Sequence, residues 1–117
     1  MIDLHEVKQH IEADPQNWAI HLMDFVDDFR HYKDLSAIAE PFLLTNERWD
    51  ALLASTVEYL CDEIGMESPE WVQKVPACKA PWFVAGIESL KAIAIVESPL
   101  HFRLRKIFVL ENFLSRV

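Results

Sequence analysis

The residues best spaced for chemistry are His21, Asp24, Asp28 and His31, which follow one another at intervals of three, four and three. On a helix such intervals project all four side chains from one side, and imidazole with carboxylate is a donor set for a divalent metal, as in carboxylate bundles. The same helix carries Trp18, Leu22, Phe25 and Phe29 on its other side. The four polar residues are therefore expected to face water, where an ion keeps its hydration unless a second helix adds ligands. A metal-dependent enzyme on this face is thus the weakest functional reading, and no metal or cofactor is expected. Glu6 with His10, and Glu97 with His101, are four-residue pairs of the kind that stage acid–base chemistry. Neither adjoins a nucleophile, and Pro99 interrupts the second, so pairing on a helix surface accounts for them. With glycine only at positions 65 and 86 there is no phosphate-cradling loop and no nucleophile elbow. Cys61 falls on an apolar helix, and Cys78, beside Lys79 in a proline-bounded loop, is expected to be the more exposed thiol.

Recognition is better represented than catalysis. Residues 1–70 carry sixteen Asp and Glu against four Lys and Arg, whereas residues 71–117 carry three against seven, for a net charge of −8. The basic residues Arg103, Arg105 and Lys106, with Arg116, are interleaved with Phe102, Phe108 and Phe113. Arg and aromatic side chains dominate binding hot spots, so Trp82, Phe83, Arg103, Arg105 and Lys106 form the candidate partner-binding set. Positions 103 and 105 point about 200° apart on a helix, so only part of the group shares a face. Pairing with the chain's own acidic half is the first expectation for these bases, a protein partner the second and nucleic acid the third, since the net charge opposes adsorption to phosphate.

These groups must be positioned by helices, because no segment alternates with period two for long enough to make a sheet. A short polar helix over residues 3–12, with Leu4, Val7 and Ile11 on one side, is expected to be loosely attached. Asp14 and Pro15 open a second helix that runs to about Tyr32. A packed connection through Pro41 leads to a third, capped by Thr45 or Asn46, carrying Trp49, Leu52, Leu53, Val57 and Leu60, and stopped at Gly65. Ser68-Pro69-Glu70 opens a short fourth around Trp71, and a fifth spans Ile87 to Val96. That fifth helix is apolar on nearly all sides and is therefore expected to be central and buried. Ser98-Pro99 starts a last helix to about Arg105, followed by an irregular joint at Ile107–Val109, a triplet that also suits extended chain. The expectation is all-α: a compact single-domain bundle of five or six helices, residues 1–117, around an apolar helix near residues 87–97.

At 117 residues the chain is long enough for one hydrophobic core without a disulfide or metal staple. Two cysteines without paired spacing, and an N-terminus without the regions of a signal peptide, lead to the expectation of a reduced, cytoplasmic protein. The longest apolar run, Ala92–Val96, lies between Lys91 and Glu97 and is far short of the roughly 20 residues a bilayer requires, so no membrane segment is expected.

The blocks RWDALLASTVEYLCDEIG (48–65), PWFVAGIESLKAIAIVESP (81–99) and FRLRKIFVLENFLSRV (102–117) resemble a family of small bacterial proteins related to the C-terminal region of helix-turn-helix (XRE-type) antitoxin or regulator proteins. The genes of that family often neighbour a nucleotidyltransferase-like gene. The resemblance covers about residues 18–117 and leaves no room for a helix-turn-helix before Trp18. It implies a partner-binding or regulatory module, antitoxin-like, whose partner is the product of a neighbouring gene, a toxin-like nucleotidyltransferase from the same operon. A second copy of the chain is a further candidate partner. Non-catalytic protein recognition is the resulting expectation, with a nucleic-acid-associated regulator using the C-terminal bases as its rival.

Overall fold

The first helix of the computed structural model, which describes residues 1–115, starts where the Asp3 side chain accepts a hydrogen bond from the Glu6 backbone N–H (2.9 Å). This helix, α1 (Leu4–Ala13), buries Leu4, Val7 and Ile11 at three-and-four spacing against α2 (Trp18–Tyr32). Residues 1–13, expected from their polarity to be loosely attached, make several contacts with the rest of the fold. Besides its apolar stripe, α1 is fastened by the Ile2 N–H donating to Asp28 Oδ2 (2.6 Å) and by a buried Lys8–Asp50 ion pair (2.6 Å), while Lys8 also donates to the Leu43 carbonyl. Overall polarity hid this, because three apolar residues and one paired lysine suffice to bury one side of a ten-residue helix.

Asp14 and Pro15 make a single tight turn (Pro15–Asn17) before α2, which ends at Lys33 in a left-handed conformation, φ 52°. The third helix, α3 (Glu47–Glu63), has both ends written in the sequence. Asn46 Oδ1 accepts from the N–H groups of Arg48 and Trp49 (3.1 Å each). At the other end Gly65 adopts φ 71°, its N–H reaching the Asp62 carbonyl (3.1 Å) while the Met66 N–H reaches that of Cys61 (2.8 Å), the paired bonds of a Schellman stop.

The core is built around α3, not around residues 87–97 as the sequence suggests. Every residue of α3 from Asp50 to Val57 is buried. The small side chains Ala51, Ala54, Ser55 and Thr56 let neighbours close in on all sides, and Thr56 returns its hydroxyl to the Leu52 carbonyl (2.8 Å). By contrast α4 (Lys91–Glu97) is peripheral and buries only Ala94. A helix apolar all round declares that it needs cover, without declaring which element provides it.

The expected fourth helix is one tight turn, Glu70–Lys74, whose Trp71 donates its indole N–H to the Ile38 carbonyl (3.0 Å). A last helical turn, α5 (Leu100–Arg103), is followed by an extended pair instead of a purely helical end. Strands β1 (Trp82–Phe83) and β2 (Ile107–Phe108) run parallel, with Trp82 opposite Ile107 and Phe83 opposite Phe108. The far edge of β2 is closed by Ser98, whose Oγ donates to the Ile107 carbonyl (3.1 Å) and accepts from the Val109 N–H (3.3 Å). The fold is therefore mainly helical, with five α-helices among the described residues and one two-stranded parallel pair. Its radius of gyration, 13.4 Å, is that of a compact globule of this length.

Lys106 turns the chain from α5 into β2 at φ 61°, a left-handed conformation that a Cβ disfavours by roughly 1–2 kcal/mol. Lys106→Gly is expected to raise stability to urea unfolding by about 0.5–1 kcal/mol, the relief exceeding the added entropy of the unfolded chain. Gly65→Ala should lower it by about 1 kcal/mol, from backbone strain alone, since nothing lies within 4 Å of the added carbon.

Candidate recognition surface

The five residues expected to bind a partner fall into three environments. Arg105 is buried (7% exposed): its guanidinium donates to the carbonyls of Val72 (2.6 Å) and Val75 (3.4 Å) and to Ser55 Oγ (3.4 Å), and pairs with Glu58 (2.5 Å). It is buried as an internal brace, with its guanidinium bonded within its own chain. The sequence reading had no means of telling buried Arg105 from its exposed neighbour Arg103. Trp82 is half-buried in a triangle of indoles with Trp18 (5.9 Å) and Trp49 (5.8 Å), with the Arg48 guanidinium over its ring (5.4 Å). Phe83 stacks on Phe108 (5.0 Å, 21°), with Lys91 over its ring (5.2 Å). Both aromatics are thus occupied by their own chain. Arg103 and Lys106 are exposed, and Arg116 lies outside the described residues.

The candidates for metal and acid–base chemistry are dispersed as well. His21 bonds Asp14 (3.1 Å) and lies against His10 (ring centroids 5.7 Å), Asp28 holds the Ile2 N–H, and His31 meets Tyr32 edge-on (4.7 Å). No group of three His, Cys, Asp or Glu is placed to share an ion among the described residues. Hydrogen bonds from Asn17 and then His21 hold the Asp14 carboxyl below its ordinary range. Its contribution to stability is therefore complete at neutral pH and fades as the pH falls through that lowered value.

Glu97 accepts the Glu111 N–H (3.1 Å), and His101 turns instead to Asp62 (3.1 Å). Asp62, His101 and Ser68 all line an open depression of about 600 Å³. The second ring nitrogen of His101, Nδ1, has no hydrogen-bond partner among the described residues but is buried, so it is closed off from a serine or a substrate in the depression. Both cysteines are buried, which corrects the expectation of an exposed Cys78. Burial first, then Glu58 beside Cys61 and Glu47 beside Cys78, pushes both thiols up and leaves them poor nucleophiles.

What the sequence reading missed lies on α4 and α5. Ile93, Ile95, Val96, Leu100 and Leu104 are all exposed, Val96 at 79% and Leu104 at 66%. Beside α4 runs a groove of about 640 Å³, with Tyr59 of α3, Leu90, Ile93 and Leu110 as its apolar lining, and Glu97, Glu111 and Asn112 as polar groups. The signal was present as the run Ala92–Val96, which reads as a buried helix and is buried nowhere within this chain except at Ala94.

No family model, curated protein or solved structure matches this chain. Among the described residues no helix is long and apolar enough to cross a membrane.

Arg105→Ala would strand two carbonyls and leave Glu58 without its cation; it is expected to destabilise the fold by about 2–4 kcal/mol in chemical denaturation. Arg103→Ala, at an exposed site, should remain within about 0.5 kcal/mol of the parent. Equal effects of the two substitutions would contradict this division of roles.

Proposed function

We propose that the protein is a non-catalytic recognition module that docks another protein on its α4–α5 face. One observation carries the reading: a segment whose side chains have core character is left exposed by its own chain. Five large aliphatic residues stand in solvent between Ile93 and Leu104, and covering each would contribute on the order of 1 kcal/mol through removal of its remaining exposed surface. Singly exposed aliphatics are ordinary; a run of them on two consecutive helices is the usual mark of an interaction site.

The partner-binding set is accordingly moved. Arg103 and Lys106 remain as exposed bases beside the face, where they would orient the partner, while Phe83 lies against Lys91 of α4, Trp82 packs instead on Trp18 and Trp49, and Arg105 braces the turn after α5. The family resemblance of residues 18–117 adds an antitoxin-like or regulatory role and a partner encoded by a neighbouring gene. The absence of matches to known proteins leaves that role resting on the three sequence blocks alone.

Ile93→Asp and Val96→Asp place charge on exposed positions and should leave circular dichroism and melting temperature close to the parent. Co-purification with the co-expressed neighbouring gene product should fall at least tenfold, the equivalent of about 1.4 kcal/mol. Retention of the partner by both variants would remove the α4–α5 face as the interface, and an unchanged pull-down by Arg103→Glu/Lys106→Glu would remove the two bases from it.

A further inference from the structure

The groove beside α4 differs from the rest of the α4–α5 face in its charge. Its apolar residues are bordered by Glu97 and Glu111, both exposed. Glu97 spends one carboxylate oxygen on the Glu111 N–H, a bond that positions it without neutralising it. Lys91, the one basic residue of α4, is drawn away by Glu88 (2.9 Å) and by the ring of Phe83. Across the wall formed by Tyr59 and His101, whose rings meet edge-on at 5.7 Å, lies the second depression, bordered by Asp62, Glu67 and Glu70. In that depression Glu58 is matched by Arg105 and Asp62 meets His101. The two concavities thus stand on either side of one aromatic wall, and both present carboxylates.

We infer that this groove takes a basic amphipathic segment of the partner protein, with aliphatic or aromatic anchors on Ile93 and Tyr59 and Lys or Arg side chains against Glu97 and Glu111. The inference rests on the docking reading above and adds the chemistry of the occupant. Charge complementarity selects it: an acidic rim around an apolar floor rejects acidic segments by several kcal/mol of like-charge contact while leaving apolar contact unchanged. A second copy of this chain is the weaker occupant. Twofold pairing through the same groove would set Glu97 and Glu111 against their own equivalents, between two chains that each carry a net charge of −8. A helix fits the dimensions, since α4 itself is short and a groove of about 640 Å³ accepts a few side chains of a partner helix, in the manner of helix-in-groove recognition.

The test is selection from a random twelve-residue peptide library on the immobilised full chain, run in parallel on three proteins: the parent, Ile93→Asp, and the double variant Glu97→Lys/Glu111→Lys. Folding of each is checked by circular dichroism. From the parent, peptides combining Lys or Arg with Leu, Ile or Phe should be enriched at least about tenfold over acidic peptides of equal hydrophobicity. The charge-reversed variant should invert that preference, and Ile93→Asp should enrich neither class. A synthetic peptide from the selected set should lose affinity for the parent as salt rises from 50 to 500 mM, a range over which exposed charge pairs become largely screened. Equal enrichment of basic and acidic peptides, or no inversion in the double variant, overturns the basic occupant while loss of binding in Ile93→Asp still upholds the face. Undiminished enrichment by Ile93→Asp, or none by the parent, overturns the groove as a docking site. Concentration-dependent dimerisation of the parent that Glu97→Lys/Glu111→Lys abolishes would assign the groove to a second copy instead.

Discussion

The side chain on which the C-terminal half depends is Arg105. A guanidinium taken out of water destabilises a fold by several kcal/mol unless its donors are matched, and here they meet two carbonyls of the Trp71 turn, a serine hydroxyl of α3 and the Glu58 carboxylate. These partners come from α3 and from the loop after it, while Arg105 itself sits one residue before the left-handed turn at Lys106. Holding the guanidinium therefore holds that turn, and the turn aims β2 along β1. The backbone bonds that follow, Cys78 N–H to the Arg105 carbonyl (3.0 Å), Trp82 N–H to that of Lys106 (2.8 Å) and Val84 N–H to that of Phe108 (3.1 Å), then bring the loop after Val75 under the same control. Planar, five-donor geometry is what allows one residue to join three segments; a lysine would serve fewer acceptors.

The division of charge between the halves has a partly internal explanation. Arg105 with Glu58, His101 with Asp62, and the Lys79 N–H with the Glu47 carboxylate all join the basic part of the chain to the acidic part. Arg30 of α2 pairs with Glu63 inside the acidic half (2.9 Å) and reaches the C-terminal part only through the Leu114 carbonyl (2.5 Å). The interior carries its own exception in Lys8 and Asp50, a pair sealed between α1 and α3 whose partners are 42 residues apart in sequence. Such a pair adds little net stability relative to apolar residues of the same size, but removal of either member leaves a buried charge. It fixes how α1 seats on α3 more than how strongly.

Legibility in the sequence followed the range of the interaction. Asn46, Gly65, the Asp14-Pro15 turn and the stripe Leu22, Phe25, Phe29 act within a turn or two of helix, so residue types and spacing were enough to locate α2 and α3. The β1–β2 pair was half legible: Ile107–Val109 carries β-branched and aromatic character, but its partner at Trp82–Phe83 is selected by a crossover through α4 and α5 that no local pattern specifies. Exposure of the candidate partner-binding residues was only partly legible. The C-terminal region does hold the exposed bases Arg103 and Lys106, yet burial of Arg105 is decided by carbonyls of Val72 and Val75, and ordinary sequence patterns carry no record of carbonyl direction. The apolar run Ala92–Val96 of α4 was read as core because apolarity reports a need for cover and is silent on whether the cover belongs to the same chain.

That silence gives α4 its significance. An exposed helical position is best filled by alanine or by long straight side chains, whereas β-branched residues lose rotamer freedom there and lower helix propensity by a few tenths of a kcal/mol each. Ile93, Ile95 and Val96 occupy such positions at 45, 48 and 79% exposure, on a helix of only seven residues that has no side-chain cap at its start. In the isolated chain they supply neither propensity nor much burial, and their exposed surface favours aggregation over solubility. The same three residues would contribute favourably once covered, because stiff side chains lose little further freedom on burial while apolar surface leaves water. The physical balance of α4 is thus unfavourable alone and would become favourable against a complementary surface, which is the balance the proposed docking role calls for.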